Sequence, residues 1–302
     1  MRAIDLFAGA GGFSLGAKMA GVDVVWAANH WPDAVTTHQK AFPGVEHACE
    51  DLHRVDWSMV PHHDLLLASP CCQGHSRGRG KDKPHHDAAR STAWAVIDAV
   101  EMHLPDAIIV ENVIEFLDWR LYLNWRAALM TLGYSVCETI ADAADSGVPQ
   151  HRHRVFVCAT RCRTLKEPLD LPKRMHRPAI SFLRDIPAKT PIKNLCLKTR
   201  NRAAKGRHDH GDRFLLPYYS SCKGGRTIHA PIGTITTRDR YGLVEGDKMR
   251  MLTVDEYRDA MGFPATYPLP DNRKLAIHLL GNSVPPALAC DVISALVSFI
   301  QN

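Results

Sequence analysis

Along the first 160 positions, short unbroken apolar runs alternate with stretches where apolar residues recur every three or four places. Unbroken runs suit strands buried on both faces; the longer spacing suits helices with one buried stripe. The pattern predicts strands at Ala3–Phe7, Val22–Ala28, Asp64–Ala68, Ala107–Val110, Tyr134–Ala141 and Val155–Thr160. Between them it predicts helices starting at Phe13–Ala20 and running over Asp33–Ala41, Ser91–His103 and Trp119–Leu132, the last closed by Gly133. This strand–helix alternation predicts an α/β fold with a doubly wound sheet. From Arg161 to about Arg240 the periodicity breaks down among Pro, Gly and basic residues. It resumes with helices near Val254–Met261 and over Pro286–Ile300, which predicts that the C-terminus returns to the first lobe. The expected division is a catalytic unit over 1–160, an irregular insert over 161–249 and a returning segment over 250–302.

Composition narrows the classes. The chain has 302 residues, 45% hydrophobic and 23% charged, within the range of soluble globular proteins. Its apolar runs are short or interrupted, and a strand follows Met1 almost at once, so neither a membrane span nor a leader is expected. A cytoplasmic protein is the resulting expectation. Nine cysteines without paired CxxC spacing do not form a disulfide framework. The 17 histidines include His85-His86 and His208-Asp209-His210, read as exposed polar positions, and no metal is expected. Net charge is +5, unevenly spread: Lys173–Arg213 holds twelve Lys/Arg against three acids, a formal +9, leaving −4 elsewhere. A basic lobe on a nearly neutral body suits a phosphate backbone.

The candidate chemistry lies at strand ends. Asp5-Leu6-Phe7-Ala8-Gly9-Ala10-Gly11-Gly12-Phe13-Ser14 joins the first strand to a helix. Glycines there let a ligand approach the backbone near a helix N-terminus. Ser14 stands where a GxGxxG dinucleotide fingerprint needs glycine. Ser69-Pro70-Cys71-Cys72-Gln73-Gly74-His75-Ser76 follows a buried strand, near Arg77 and Arg79, a setting that favours a thiolate. Glu111-Asn112-Val113 ends the next strand, where a desolvated carboxyl can donate a proton. Gln150-His151-Arg152-His153-Arg154 sets two alternate arginines on one face of a strand edge, where they can hold an anion.

Taken in order with Gly281-Asn282-Ser283-Val284-Pro285, these motifs resemble the DNA cytosine-C5 methyltransferase family. The resemblance covers both ends of the chain and implies a Rossmann-like, S-adenosylmethionine-dependent fold. A smaller target-recognition lobe would lie in the middle. It makes Cys72 the nucleophile, sets Glu111 against the base, and gives Arg152 and Arg154 the base and the catalytic loop. It assigns the methionine end of the cofactor to Phe7, Gly9, Gly11 and Gly12, the adenine to Asp51, and late cofactor contacts to Asn282 and Val284. The sequence departs from the family pattern in three places. Cys71 stands where the family usually has proline, and Asn29-His30-Trp31 where an acid usually holds the ribose. Asp255, Asp259 and Met261 replace the usual Arg, Arg and Gln. Asn29 or His30 can still hydrogen-bond a diol, without the charge.

The implied reaction is thiolate attack on carbon 6 of a cytosine flipped out of double-stranded DNA, then methyl transfer to carbon 5. Gly74–Lys83 suits a loop that closes over the nucleotide, with Ser76, Arg77 and Arg79 on DNA. Gly233–Arg240 is the candidate for base-edge readout, through Thr234, Arg238 and Arg240, set against a plain surface β-hairpin; failing that, Tyr218–Arg226. A monomer is expected, with a cognate restriction endonuclease as a further partner. Alternatives are an RNA cytosine-C5 enzyme acting on tRNA, an amino-methyltransferase with a Ser-Pro-Pro-aromatic loop, and an inactive DNA-binding regulator. Cys71-Cys72 speaks against the second, and retention of Cys72, Glu111 and both arginines against the third.

Overall fold

A computed structural model describes residues 1–71, 91–219 and 222–301. Seven strands form the main sheet: β1 (Arg2–Leu6), β2 (Asp23–Ala28), β3 (Glu46–Ala48), β4 (Leu65–Ala68), β5 (Ala107–Asn112), β6 (Ser135–Asp142) and β7 (His153–Thr160). Their order is β3-β2-β1-β4-β5-β7-β6, with only β7 antiparallel to its neighbours. The winding reverses between β1 and β4, and a doubly wound sheet binds ligands beyond the strand ends at such a switch.

The two faces explain the unbroken apolar runs. Alternate residues of β1, β4 and β5 divide between two cores: Ile4, Leu66 and Ile108 enter one, and Ala3, Leu65, Leu67 and Ile109 the other. The first core is covered by helices α3 (Trp94–His103) and α4 (Tyr122–Thr131), through Val96, Val100, Trp125 and Leu129. The second is covered by α1 (Gly12–Met19), the N-terminal helix, and the last helix, Pro286–Gln301, through Phe13, Leu288, Val292 and Leu296. Gly16 lets these two helices touch, since a Cβ there would overlap Ala289. Truncating a fully buried leucine such as Leu66 to alanine would cost about 2–5 kcal/mol. Helix α2 (Pro32–Ala41) follows β2, with Pro32 in its first turn, where the missing N–H costs nothing.

The middle of the chain is more ordered than its periodicity predicts. It contains helix α5 (Leu197–His210) and a four-stranded sheet in the order β8-β11-β10-β9. Those strands are β8 (Thr190–Pro191), β9 (Arg213–Pro217), β10 (Tyr241–Glu245) and β11 (Lys248–Met251). His208 and His210 belong to α5, whereas His85-His86 lies outside the described residues. A separate core gathers Phe182, Leu215, Ile228, Tyr241, Leu243, Tyr257 and Phe263, joined by Phe42 from the end of α2. Helix α6 (Val254–Ala260) starts on a capping box in which Thr253 and Glu256 satisfy each other's main-chain N–H groups. The buried Glu256 also takes two 2.7 Å bonds from Arg250. Asp255 and Asp259 pair with Arg184 of the insert at 3.2 and 3.1 Å, so these departures from the family pattern have partners within the chain.

Helix α7 (Arg273–Asn282) lies where no helix was expected, and α8 (Pro286–Gln301) follows it. Together Arg273–Gln301 is long and apolar enough by composition to cross a membrane. Its second half, however, buries Leu288, Val292, Ile293 and Leu296 against the sheet. At 16 residues and 1.5 Å per residue, α8 also falls short of the roughly 30 Å hydrocarbon core.

Candidate active site

A cavity of about 370 Å³ opens above the switch point. Its walls come from the ends of β1, β2, β4 and β5 and the start of the antiparallel β7, which bring together segments far apart in sequence. The turn after β1 forms its floor. Phe7 sits there at φ 61°, a conformation that costs a non-glycine residue strain and tends to persist at functional sites. Gly11 has φ 83°, and a Cβ would lie 2.6 Å from the Phe42 ring and 2.7 Å from the Tyr267 hydroxyl. Gly12 does a different job: a Cβ would overlap the Val284 carbonyl, so this glycine lets the turn dock on the C-terminal motif. Beside Gly9 the space is open. Helix α1 starts at Gly12, aiming its free N–H groups at the cavity.

Phe7, Gly9, Gly11, Gly12, Asn29, His30, Asn282 and Val284 all line this cavity, together with Glu111, Arg152 and Arg154. Asp51 is exposed and does not line it; its carboxylate accepts the His53 main-chain N–H at 3.1 Å. Asn29 Oδ1 accepts from the Trp31 N–H at 2.9 Å, which leaves the exposed His30 as the freer polar group on that rim. Trp31 and His278, neither assigned a role from the motifs, meet edge-on with their rings 5.1 Å apart and form an aromatic wall. His278 carried no signal because α7 itself was not anticipated. Ser69, Pro70 and Cys71 line the opposite side. Cys72, Ser76, Arg77 and Arg79 lie outside the described residues, directly after this segment.

The two arginines of β7 and the turn before it have different surroundings. Arg154 Nε lies 2.8 Å from Glu111 Oε1, and both side chains are about nine-tenths buried. Arg152 is buried to 2% exposure and donates to main-chain carbonyls: Ile235 from one nitrogen, Gly281 and Ser283 from another, each at 2.9 Å. It therefore ties the segment Gly233–Arg240 to Gly281–Pro285. Its own N–H donates to Asp142 at 2.7 Å, and His151 bonds the other oxygen of that carboxylate.

Gly233–Arg240 is not a hairpin. It runs as an irregular segment pinned on two sides. Gln150, fully buried, accepts the Ile235 N–H at 2.7 Å and donates to Met261 Sδ at 3.0 Å. The Thr234 hydroxyl donates to the His151 carbonyl at 2.9 Å, and a Cβ on Gly281 would overlap the Thr236–Thr237 peptide. Arg240 donates to the Tyr218 carbonyl at 2.7 Å, whereas Arg238 is exposed. No group of three or more metal-ligating side chains occurs among the described residues.

Comparison with known proteins matches this arrangement. The family described as "C-5 cytosine-specific DNA methylase" matches residues 1–298. The type II methyltransferase M.AplI of Arthrospira platensis is 30% identical over 99% of this chain and 86% of its own length. Type II methyltransferase M.HhaI of Haemophilus parahaemolyticus is 27% identical over 94% of this chain and 90% of its own. The structure of Entamoeba histolytica methyltransferase EhMeth superposes with a TM-score of 0.73 at 17% identity, covering 100% of this chain and 99% of that one; at such identity the likeness speaks for the fold.

Proposed function

The chain belongs to the C-5 cytosine-specific DNA methylase family, and we propose that its cavity brings S-adenosylmethionine together with a cytosine flipped out of duplex DNA. The observation that carries this reading is the buried Arg154–Glu111 pair, 2.8 Å apart, on the wall of the cavity that the glycine turn opens. Arg154 fixes one carboxyl oxygen of Glu111 and leaves the other for the edge of a base.

The residues present fit the cofactor. Gly9 leaves room, the N-terminus of α1 offers N–H groups to a carboxylate, and Trp31 and His278 offer an aromatic wall. Phe7, Gly11, Gly12, Asn282 and Val284 surround the methionine end. His30 stands on the rim where a ribose hydroxyl would need a partner. When bound, S-adenosylmethionine supplies an electrophilic methyl group.

Carbon 5 of cytosine is a poor nucleophile, and the protein's task is to change that. The Cys72 thiolate adds to carbon 6, while Glu111 holds a proton at N3 and accepts from the exocyclic amine. The displaced π electrons make carbon 5 the nucleophilic end of an enamine, which takes the methyl group. A base then removes the carbon-5 proton, the double bond re-forms, and Cys72 leaves as a thiolate. A cytosine within a duplex cannot present carbon 6 to a thiol, so it must leave the stack. Ser76, Arg77 and Arg79 then close on the DNA, with Thr234, Arg238 and Arg240 on the recognition side. The enzyme works as a cytoplasmic monomer without a metal.

Bisulfite sequencing of DNA from cells expressing the protein tests this reading. Methylated cytosines in one sequence context, absent with Cys72→Ser, are expected. Methylation of a tRNA transcript but not of duplex DNA would contradict it.

A further inference from the structure

A second cavity, of about 530 Å³, lies on the insert between α5 and the edge of the small sheet. No residue that lines it also lines the first cavity, and none belongs to Gly233–Arg240. One wall is α5, through Arg200, Ala203, Ala204 and Arg207, at the i, i+3, i+4 and i+7 spacing of a single helix face. The two alanines open the space, and the arginines flank them along the helix. The opposite wall is the sheet edge, where the pairing of β8 with β11 sets Lys248 beside Pro191 and the turn Ile192–Asn194 brings in Lys193. The Ile192 N–H donates to the Asp247 carbonyl at 2.9 Å, so the two parts of that wall are fixed to each other.

Four cations line this cavity with one carboxylate, that of Asp247. The carboxylate is already engaged, because Arg207 donates to it at 3.1 Å. Arg207 also donates to the Gly246 carbonyl and lies 3.3 Å from Asp212, so it ties α5 to the turn between β10 and β11. Other cations of the insert are paired in the same way: Lys205 with Asp209 and Arg213 with Glu245, each at 3.0 Å. Lys193, Arg200 and Lys248 are different. They are exposed, and their side chains have no ion pair among the described residues. Three unpaired cations, from a turn, a helix and a strand, thus face one concave space. Like charges held around a concavity raise its potential, and the complement to that is an anion. The volume lies within the roughly 300–1,000 Å³ of small-ligand sites.

We infer that this second cavity binds a phosphate group, with the Arg200 guanidinium offering paired donors and Lys193 and Lys248 acting as point charges on the remaining oxygens. Arg207 is a positioning residue, since its own donors are spent on Gly246 and Asp247. The phosphate belongs either to a DNA strand outside the recognised bases or to a free phosphorylated small molecule. Both present the same oxyanion to the three cations. The site shares no residue with the first cavity, so it stands apart from the cofactor and nucleophile assignments above.

Two probes separate the sources: inorganic pyrophosphate, followed by calorimetry, and a fluorescent duplex made only of A·T pairs, which holds no cytosine, followed by anisotropy. Ala204→Leu fills the cavity without altering charge, at an exposed helical position where leucine is a good helix former. Lys193→Gln, Arg200→Gln and Lys248→Gln together remove the unpaired charges. As a control, Lys173→Gln, Lys189→Gln and Lys198→Gln remove the same charge from exposed lysines of the insert that do not line the cavity. Ala204→Leu and the cavity triple should each weaken at least one probe by about tenfold or more, the scale of a charge-assisted bond, and the control triple by less than about threefold. Loss of pyrophosphate alone identifies a free phosphorylated ligand, and loss of the duplex identifies a DNA strand. The site is overturned if Ala204→Leu binds both probes like the parent, if the control triple does as much damage as the cavity triple, or if the parent binds neither probe. Should the cavity triple fail to fold, Ala204→Leu set against the control triple decides on the same terms.

Discussion

The two lobes use the same kinds of residue for different purposes, and Arg154 and Arg152 mark the boundary. On the sheet side, Arg154 spends its charge on the Glu111 carboxylate, at the end of a strand whose partners on β4 are all apolar. On the side of the insert, Arg152 directs its charge at three main-chain carbonyls and so fixes where another segment runs. The first lobe places functional side chains on regular strand ends. The second places a functional backbone by pinning it to the first, through Arg152, Gln150 and the bare face of Gly281. A motif with two matching arginines can thus hold one chemical residue and one architectural one.

That contrast can be broken by substitution. Arg154→Ala leaves Glu111 buried without its partner. Methylation is expected to fall by about two to three orders of magnitude in single-turnover assays, since an aligned electrostatic group is removed. Arg152→Ala should act mainly on folding. Stranding three buried carbonyls should cost about 3–5 kcal/mol in denaturant unfolding. Gly281→Ala should be milder, about 1–3 kcal/mol, because a methyl group displaces the Thr236–Thr237 peptide. If Arg152→Ala keeps full stability while Arg154→Ala unfolds the protein, the roles are reversed.

Legibility divided along the same line. The strands at 65–68 and 107–112 were readable because burial on both faces leaves an unbroken apolar run. The edge strand Glu46–Ala48 was not, being three residues long and half polar. Helix α5 was hidden because it reads LKTRNRAAKGRHDH and buries little beyond Thr199, Arg202, Ala203 and Gly206, so no apolar stripe marks it. Most of the described motif residues line one cavity, Asp51 excepted, because turns at strand ends carry glycines and charges with few other uses. Asp5 was read as the first residue of the glycine-rich motif and His38 as part of a helix, and neither reading joined them through Ser14. The bonds that join them form only when β1, α1 and α2 come together, which no local pattern encodes.

The insert, proposed to read the DNA, carries the smaller expected effects. Arg238 is exposed, whereas the Thr234 hydroxyl and Arg240 already have main-chain partners. Arg238→Ala should therefore relax discrimination at one base pair by about 1–3 kcal/mol, if it makes a bidentate guanine contact, as read from competition between methylated sites. Neutralising Lys193, Arg200 and Lys248, which line a basic cavity of about 530 Å³ beside α5, should leave the recognised sequence unchanged. It should flatten the log–log salt dependence of non-cognate binding by about one unit for each phosphate that is no longer neutralised. Unchanged selectivity with Arg238→Ala would move readout to the segment between Tyr218 and Arg226.

On the proposed reading, a cysteine next to this cavity attacks the base while Glu111 and Arg154 hold it. Duplex DNA carrying 5-fluorocytosine at the target tests this most directly, because fluorine cannot leave as the carbon-5 proton does. The parent protein with S-adenosylmethionine should form an adduct that survives denaturing electrophoresis, Cys71→Ser should still form it, and Cys72→Ser should not. An adduct that persists with Cys72→Ser and disappears with Cys71→Ser would assign attack to the neighbouring thiol, and no adduct from the methylation-competent parent would contradict covalent catalysis altogether.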